Sequence, residues 1–326
     1  MLLPPRIVHY QVAMSLAIKN KTPGGPLVSV IIPCHNSENV IRACLKSIIS
    51  QKTMVQFDVT VVDSSTDNTA LIVAKEFPSV RLVRLAIRTY AGAARNIGVQ
   101  HTTGRYCLMI DSDCVAAPDL IERMAARHRE ATYAAVGGAI RNGTPRSLSG
   151  LLCYLLEFKE FIPLAPLREV TSVPTANVCY NRESLEQIGG FDDSMWLAED
   201  LLLNWRIHLS GQRILFDPEI SVTHYNRTGW LNVLSYQRPM GVYSARARRR
   251  GGLPGRIALD FPALIILMPV ARLLRAAVWL WKYDKRTLLR FLLISPMYLL
   301  GSAIWASGFF AEAASAIKNS PAATCD

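Results

Sequence analysis

The sequence predicts an α/β protein on an open, mostly parallel sheet with helices on both faces, followed by an apolar C-terminal region of a different kind. Three observations carry this. From residue 27 onward, short runs rich in β-branched residues alternate with helical periodicities. Those runs are apolar throughout, as strands covered on both faces are. Residues 257 to 312 contain long stretches almost free of charge.

The elements follow in order. Leu27 to Pro33 (LVSVIIP) reads as a buried strand that stops at a proline, and Ile41, Leu45, Ile48 and Ile49 recur at helical spacing just after it. Phe57 to Asp63 is a second strand, SSTDNT a polar loop with a capping signature, TALIVAKEF a helix, and Val80 to Leu85 a third strand. A helix over AGAARNIGVQHT leads through Thr103-Gly104 into the strand Arg105 to Asp111. Further on, Ser172 to Tyr180 is strand-like and Arg182 to Ile188 helical. WLAEDLLLNWRIHLSG reads as a helix closed by Gly211, with short strands at Arg213 to Phe216 and Ile220 to His224.

The C-terminal part differs. Phe291 to Ala311 is a charge-free stretch, and Ala258 to Trp281 is broken only by Asp260, Arg272 and Arg275. Such lengths suit a hydrocarbon core of about 30 Å. Two spanning helices, or an interfacial helix followed by one span, are both open, because Arg272 and Arg275 share a face and make a deep position costly. The expected division is an N-terminal arm (1–26), a catalytic unit (27–240), a basic juxtamembrane linker (241–256), membrane-associated or transmembrane helices (257–312) and a tail (313–326).

Charge placement supports a membrane partner. The net charge is +11, yet residues 238 to 290 alone hold twelve Lys/Arg against two Asp. A basic belt beside the most apolar segment suits anionic lipid headgroups, and no nucleic-acid reading element is visible. The seven cysteines form no CxxC pair and suit a reducing compartment. The start lacks the apolar run and cleavage site of a secretory signal, so the catalytic unit is expected at the cytosolic face of the cell membrane.

GxGxxG and GxxxxGK[ST] are absent, so a nucleotide would be held by another arrangement. Asp111-Ser112-Asp113 ends a buried strand at the carboxyl edge of the sheet, where open sheets bind ligands, and paired carboxylates there call for a divalent cation. Glu199-Asp200 opens a helix, where acids are favoured and where one carboxylate could deprotonate a hydroxyl.

Four blocks, in order, resemble the nucleotide-sugar-dependent glycosyltransferases of family 2: VSVIIPCHNSENVIRACLKSIISQ, DVTVVDSSTDNT, GAARNIGVQHTTGRYCLMIDSDC and NVCYNRESLEQIGGFDDSMWLAEDLLLNWRI. The resemblance spans about residues 27 to 226 and implies a GT-A fold and inverting sugar transfer with Mg²⁺ or Mn²⁺. Carried over by position, it implies that Pro33, His35 and Glu38 line the nucleotide loop, that Asp63 reads the uridine base edge with Ser65 beside it, and that Arg95 lies near the nucleotide. It further implies that Asp111 faces ribose and sugar, that Asp113 ligates the metal, that His224 is a late ligand for the metal or the diphosphate, and that Asp200 is the base, with Glu199 orienting it or binding the acceptor. The expected donor is UDP-linked and the acceptor lipid-linked or a saccharide.

Gln237-Arg238-Pro239-Met240 departs from the Gln-x-x-Arg-Trp block of processive synthases, so one transfer per acceptor is expected. Two alternatives stand beside this reading. One is transfer to a polyprenyl phosphate, which the basic belt suits. The other is a membrane scaffold that kept the fold and lost catalysis, against which the intact carboxylates argue.

Overall fold

The computed structural model describes residues 25–319, so the expected arm, but for its last two residues, and the end of the tail lie outside the described residues. The first half alternates as expected: β1 (Val28–Cys34), α1 (Ile41–Ile49), β2 (Phe57–Asp63), α2 (Thr69–Glu76), β3 (Arg81–Arg84), α3 (Ala91–Gln100) and β4 (Tyr106–Ile110). β1 pairs in parallel with both β2 and β4, and β3 extends β2 in parallel. β1 and β4 are buried almost end to end, which is why their sequences carry no alternation. Ile41, Leu45 and Ile48 face the core, but Ile49, expected with them, lies on the exposed side.

A further stretch follows β4. It forms β5 (Cys114–Ala116), α4 (Leu120–Glu130), β6 (Ala135–Asn142), α5 (Leu148–Phe158) and β7 (Arg168–Val170). The strand expected over Ser172 to Tyr180 pairs only as β8 (Asn177–Asn181), antiparallel to β4 and β6. After α6 (Arg182–Gln187), α7 (Glu199–Leu209) begins three residues later than Trp196, because Ala198 is left-handed, with φ of 59°. The two strands expected after Gly211 are one continuous β9 (Ile214–His224), with a register irregularity opposite Gly138/Ala139. The sheet order is β3-β2-β1-β4-β8-β6-β9-β5, with β7 also on β9. β1, β2, β3, β4, β6 and β9 run one way; β5, β7 and β8 run the other.

The remainder is helical: α8 (Trp230–Ser235), α9 (Gln237–Gly251), α10 (Ile257–Asp260), a 3-10 turn over Pro262–Leu267, α11 (Met268–Tyr283) and α12 (Lys285–Asn319). The boundary expected at residue 240 falls inside α9, so the basic segment is a packed helix rather than an extended connection. Gly241 of α9 lies against the Trp305 carbonyl and Gly308 of α12 against that of Arg238, an approach that a Cβ on either would block.

Pro262–Tyr283 and Lys285–Ser315 are long and apolar enough to cross a membrane. α12, however, is fixed along one face to the sheet domain. Arg290 donates to the Pro145 carbonyl at 2.6 Å, Phe291, Ile294 and Tyr298 join the main core, and Arg246 and Arg249 both pair with Glu312 at 2.9 Å. Its other face, with Leu292, Leu293, Leu299, Leu300 and Phe310, is bare. α11 is similar: Arg275 reaches Glu160 at 3.0 Å, whereas Ile266 and Leu267 just before it, and Val270, Leu274, Val278 and Trp281 along it, form an exposed stripe.

Candidate functional site

The carboxyl ends of β1 and β4 open onto a cleft of about 540 Å³. Its wall includes Pro33 and His35 after β1, Asp111 and Asp113 after β4, Arg95 from α3, Glu199 and Asp200 from α7, and His224 from β9. Eight of the residues expected to act together are thus brought to one cavity; Glu38, Asp63 and Ser65 are not among its walls.

Those three serve the loops behind it. Glu38 turns away and accepts from the Asn68 backbone and side-chain amides at 3.2 and 3.0 Å. Asp63 is fully buried and accepts from the Ser65 hydroxyl and amide and from the Arg84 guanidinium. Arg84 was not anticipated; it stands at the end of β3 because Asp63 and Arg84 are register partners. His35 donates through Nδ1 to the Ser64 carbonyl at 3.0 Å, which fixes its ring.

At one end of the cleft lies a candidate cation site. β5 and β9 pair so that Cys114 stands opposite His224, which carries the imidazole to Asp113: Nε2 is 3.4 Å from Oδ1. The Nδ1–H of His224 donates to the Asn226 side-chain Oδ1 at 3.0 Å, and the Asn226 Nδ2 donates to Asn142 and Thr144, which sets the orientation of that side chain. His224 is therefore held with Nε2 directed at Asp113, the orientation of a metal-binding imidazole. Asp113, Cys114 and His224 place one ligand atom each within 4.8 Å of one another. Burial first, and the nearby carboxylates next, push the Cys114 thiol well above its usual range, so it remains a poor ligand. A carboxylate and an imidazole suit a cation such as Mn²⁺ or Mg²⁺ better than a thiolate-seeking metal. Burial also raises the Asp113 carboxyl above its ordinary value, with Asp111 acting the same way and His224 opposing. A bound cation would reverse that.

The carboxylate pair lies across the cleft. Glu199 and Asp200 follow the left-handed Ala198, a backbone strain that turns them inward. Gly92 makes room, since a Cβ there would stand 3.0 Å from the Glu199 Cγ. Burial, and then Asp200, lift Glu199 to about 7; burial lifts Asp200 as well, against the Leu201 amide that donates to its Oδ1 at 2.7 Å.

Arg95 ties the two ends together. Only 2% exposed, it donates to Glu199 at 2.7 Å and to Asp111 at 2.6 Å. It is a buried bridge between the carboxylate pair and the aspartate strand end, a role no local pattern discloses. Also lining the cleft, and not anticipated as site residues, are Arg88, Tyr90 and Arg227; the last lies over the Tyr236 ring at 3.6 Å and reaches Glu157 at 3.5 Å. Arg227 follows His224 by three residues, a signal the sequence did contain. Trp196 stacks near Tyr90, with centroids 6.4 Å apart, at the same wall.

A mixed open sheet with an aspartate turn, a metal-ready histidine and a buried acid pair at its carboxyl edge defines a GT-A type of protein. The chain belongs to glycosyltransferase family 2, whose profile, "Glycosyl transferase family 2", matches residues 29–189. Among curated proteins it is 24% identical over 216 residues to a pre-mycofactocin glycosyltransferase of Mycobacterium tuberculosis, covering 64% of this chain and 45% of that protein. It is 28% identical over 219 residues to the succinoglycan biosynthesis protein ExoO of Rhizobium meliloti, covering 63% and 62%. The chain thus spans about half the length of the curated relatives it matches. Among solved structures it shares its fold with the mannosyltransferase PcManGT of Pyrobaculum calidifontis in complex with GDP-Man and Mn²⁺, at TM-score 0.57 and 21% identity, over 90% of this chain and 87% of that one. It likewise resembles GalNAc-T7 with UDP, GalNAc and Mn²⁺, at TM-score 0.52 and 17% identity, over 70% and 50%.

Proposed function

We propose that the chain transfers one sugar, with inversion, from a nucleotide-linked donor to a lipid-linked or saccharide acceptor at the cytosolic membrane face, with a UDP-sugar as the first donor to test. The observation that carries this is a single cleft with Asp111, Asp113 and His224 at one side, Glu199 and Asp200 at the other, and Arg95 joining them.

Asp113 and His224 would hold Mg²⁺ or Mn²⁺, which when bound supplies positive charge to a departing diphosphate. Asp111, held by Arg95, faces the sugar end. Asp200 takes the proton of the incoming hydroxyl; one of its oxygens is fixed by the Leu201 amide, which orients the other. Glu199 buffers that charge, and Arg95 keeps the pair from both becoming neutral. Asp63 acts as a positioning residue, through Ser65 and Arg84, for the loop beside the nucleotide base.

The one-sided burial of α11 and α12 supports attachment in the plane of the membrane. A helix crossing the bilayer cannot carry the arginine-rich α9 along the same length, as α12 does from Trp305 to Glu312. The bare stripes would enter the headgroup boundary, with Lys282, Lys285 and Arg286 exposed at the turn between the helices for anionic lipids.

The test is donor hydrolysis and transfer by the purified chain against UDP-, GDP- and dTDP-sugars, with and without Mn²⁺. Metal-dependent cleavage of one donor class is expected. No cleavage of any donor at saturating metal would overturn the reading.

A further inference from the structure

We propose that the inner end of the cleft is an anion subsite, centred on Arg272 with Lys159 and Tyr298 packed behind it, that receives the phosphate of a lipid acceptor. The cleft does not end at the carboxylates. Its wall continues past Leu156, Phe158 and Phe161 to Met240, Arg272 and Trp305, the last two on α11 and α12.

Arg272 is unusual there. Its guanidinium lies 4.5 Å over the Trp305 ring, and its Nε is buried without a hydrogen-bond partner. Among the described residues no carboxylate comes within 4 Å of it; the nearest acid it senses, Glu160, is already shared between Arg275 at 3.0 Å and Lys159 at 3.8 Å. Three cations thus face one carboxylate. The Tyr298 and Ser302 hydroxyls, one turn apart on α12, are also buried and unpartnered. Tyr298 lies close enough to Arg272 for the two to interact electrostatically. Burial first, and then the nearby Arg272, push the Lys159 ammonium down to about 8.

Every group in this cluster can donate a hydrogen bond, and only Lys159 has a carboxylate beside it, the shared Glu160. A buried guanidinium is stable only when paired, and a group with several acceptor oxygens is the complement of such a donor set. Phosphate esters meet that description. The choice of a lipid source follows from position: Arg272 stands on α11 between the catalytic cleft and the bare stripe of Leu267, Val270, Leu274 and Val278. A phosphate held at Arg272 would share the cleft with the Glu199-Asp200 pair and lie on the helix that carries this apolar stripe. The diphosphate of a donor would instead be expected beside Asp113 and His224.

Naming the ligand an acceptor rests on the sugar-transfer reading; the binding itself does not. Full-length protein and its Arg272→Gln and Arg272→Lys variants would be titrated calorimetrically with farnesyl phosphate, farnesol, inorganic phosphate, and UDP with Mn²⁺. Farnesyl phosphate should bind the parent at least about tenfold more tightly than farnesol or inorganic phosphate, and Arg272→Gln should weaken it by about tenfold or more. Arg272→Lys should recover part of the loss. UDP affinity should stay within about twofold in all variants, which also shows that they fold. Where Arg272→Gln does not fold, Tyr298→Phe removes only a hydroxyl and should weaken farnesyl phosphate severalfold; unchanged affinity there refutes the subsite. The proposal is also overturned by a parent that does not bind farnesyl phosphate, or by equal binding to Arg272→Gln. Equal affinity for inorganic phosphate removes the lipid source, and a parallel fall in UDP affinity assigns Arg272 to the donor. If binding behaves as expected but no sugar is ever transferred, the transfer reading fails and the subsite stands.

Discussion

Replacing Arg95 by methionine should unfold the site from its centre, and by an amount that depends on pH. Its guanidinium is buried between Asp111 and Glu199 at 2.6 and 2.7 Å, so methionine of similar length leaves two carboxylates facing each other unpaired. Removing one partner of a buried ion pair costs about 3 to 5 kcal/mol. That is a large share of the roughly 5 to 15 kcal/mol that holds a domain folded. The sign with pH follows from Glu199, whose carboxyl is raised to about 7 in the fold. An unfolded glutamate releases its proton near about 4.3, so the folded chain holds one proton more between those values and loses stability as pH rises through them. Without Arg95 the folded value moves higher, and this loss continues above pH 7. Urea unfolding of parent and Arg95→Met at pH 5.5 and 8 should show a larger deficit at pH 8. Arg95→Lys should recover only part of it, since one ammonium cannot bridge both acids. A deficit equal at both pH values, or none, would refute the bridge as the reason this arginine is buried.

Other outcomes follow from the same geometry. Asp113→Asn and His224→Ala should each weaken Mn²⁺ binding, read by calorimetry, and abolish turnover with little change in thermal midpoint; turnover above about a tenth of the parent would remove Asp113 from the cation site. Asp200→Asn should lower turnover by roughly 10² to 10⁴ while leaving UDP affinity in place, and a collapse of affinity would move Asp200 to the donor side. Gly92→Ala, which sets a methyl 3.0 Å from the Glu199 Cγ, should reduce turnover more than UDP binding, checked by steady-state kinetics beside calorimetry. Fluorophores at positions 292, 300 and 310 of α12, in vesicles of phosphatidylcholine and phosphatidylglycerol containing brominated lipids, should all report one shallow depth. A spanning helix would instead place them at depths differing by more than about 20 Å.

The sequence by itself determined the alternation of β1 to β4 with their helices, the carboxylates at Asp111, Asp113, Glu199 and Asp200, and the basic belt before the apolar segments. These are local features: a buried parallel strand is a short apolar run, and an acid at its end or at a helix start is visible beside it. The tertiary structure decided what those groups face. Arg95 reads as one more arginine on a small-residue helix, and becomes the bridge only because α3 and α7 pack together over the end of β4. His224 gains its orientation from Asn226, and its place beside Asp113 from the pairing of β5 with β9, strands distant in the chain. Ser172 to Ala176 has strand-like composition but is interrupted by Pro174, which has no backbone N–H to offer a ladder, and only Asn177–Asn181 pairs. Pattern could not settle α12, because both its faces are apolar: periodicity shows which side is buried only when the two sides differ in polarity. Packing made that choice, setting Phe291, Tyr298 and Phe309 inward, leaving Leu292, Leu300 and Phe310 bare, and seating Arg272 of α11 over Trp305 at the cleft's inner end.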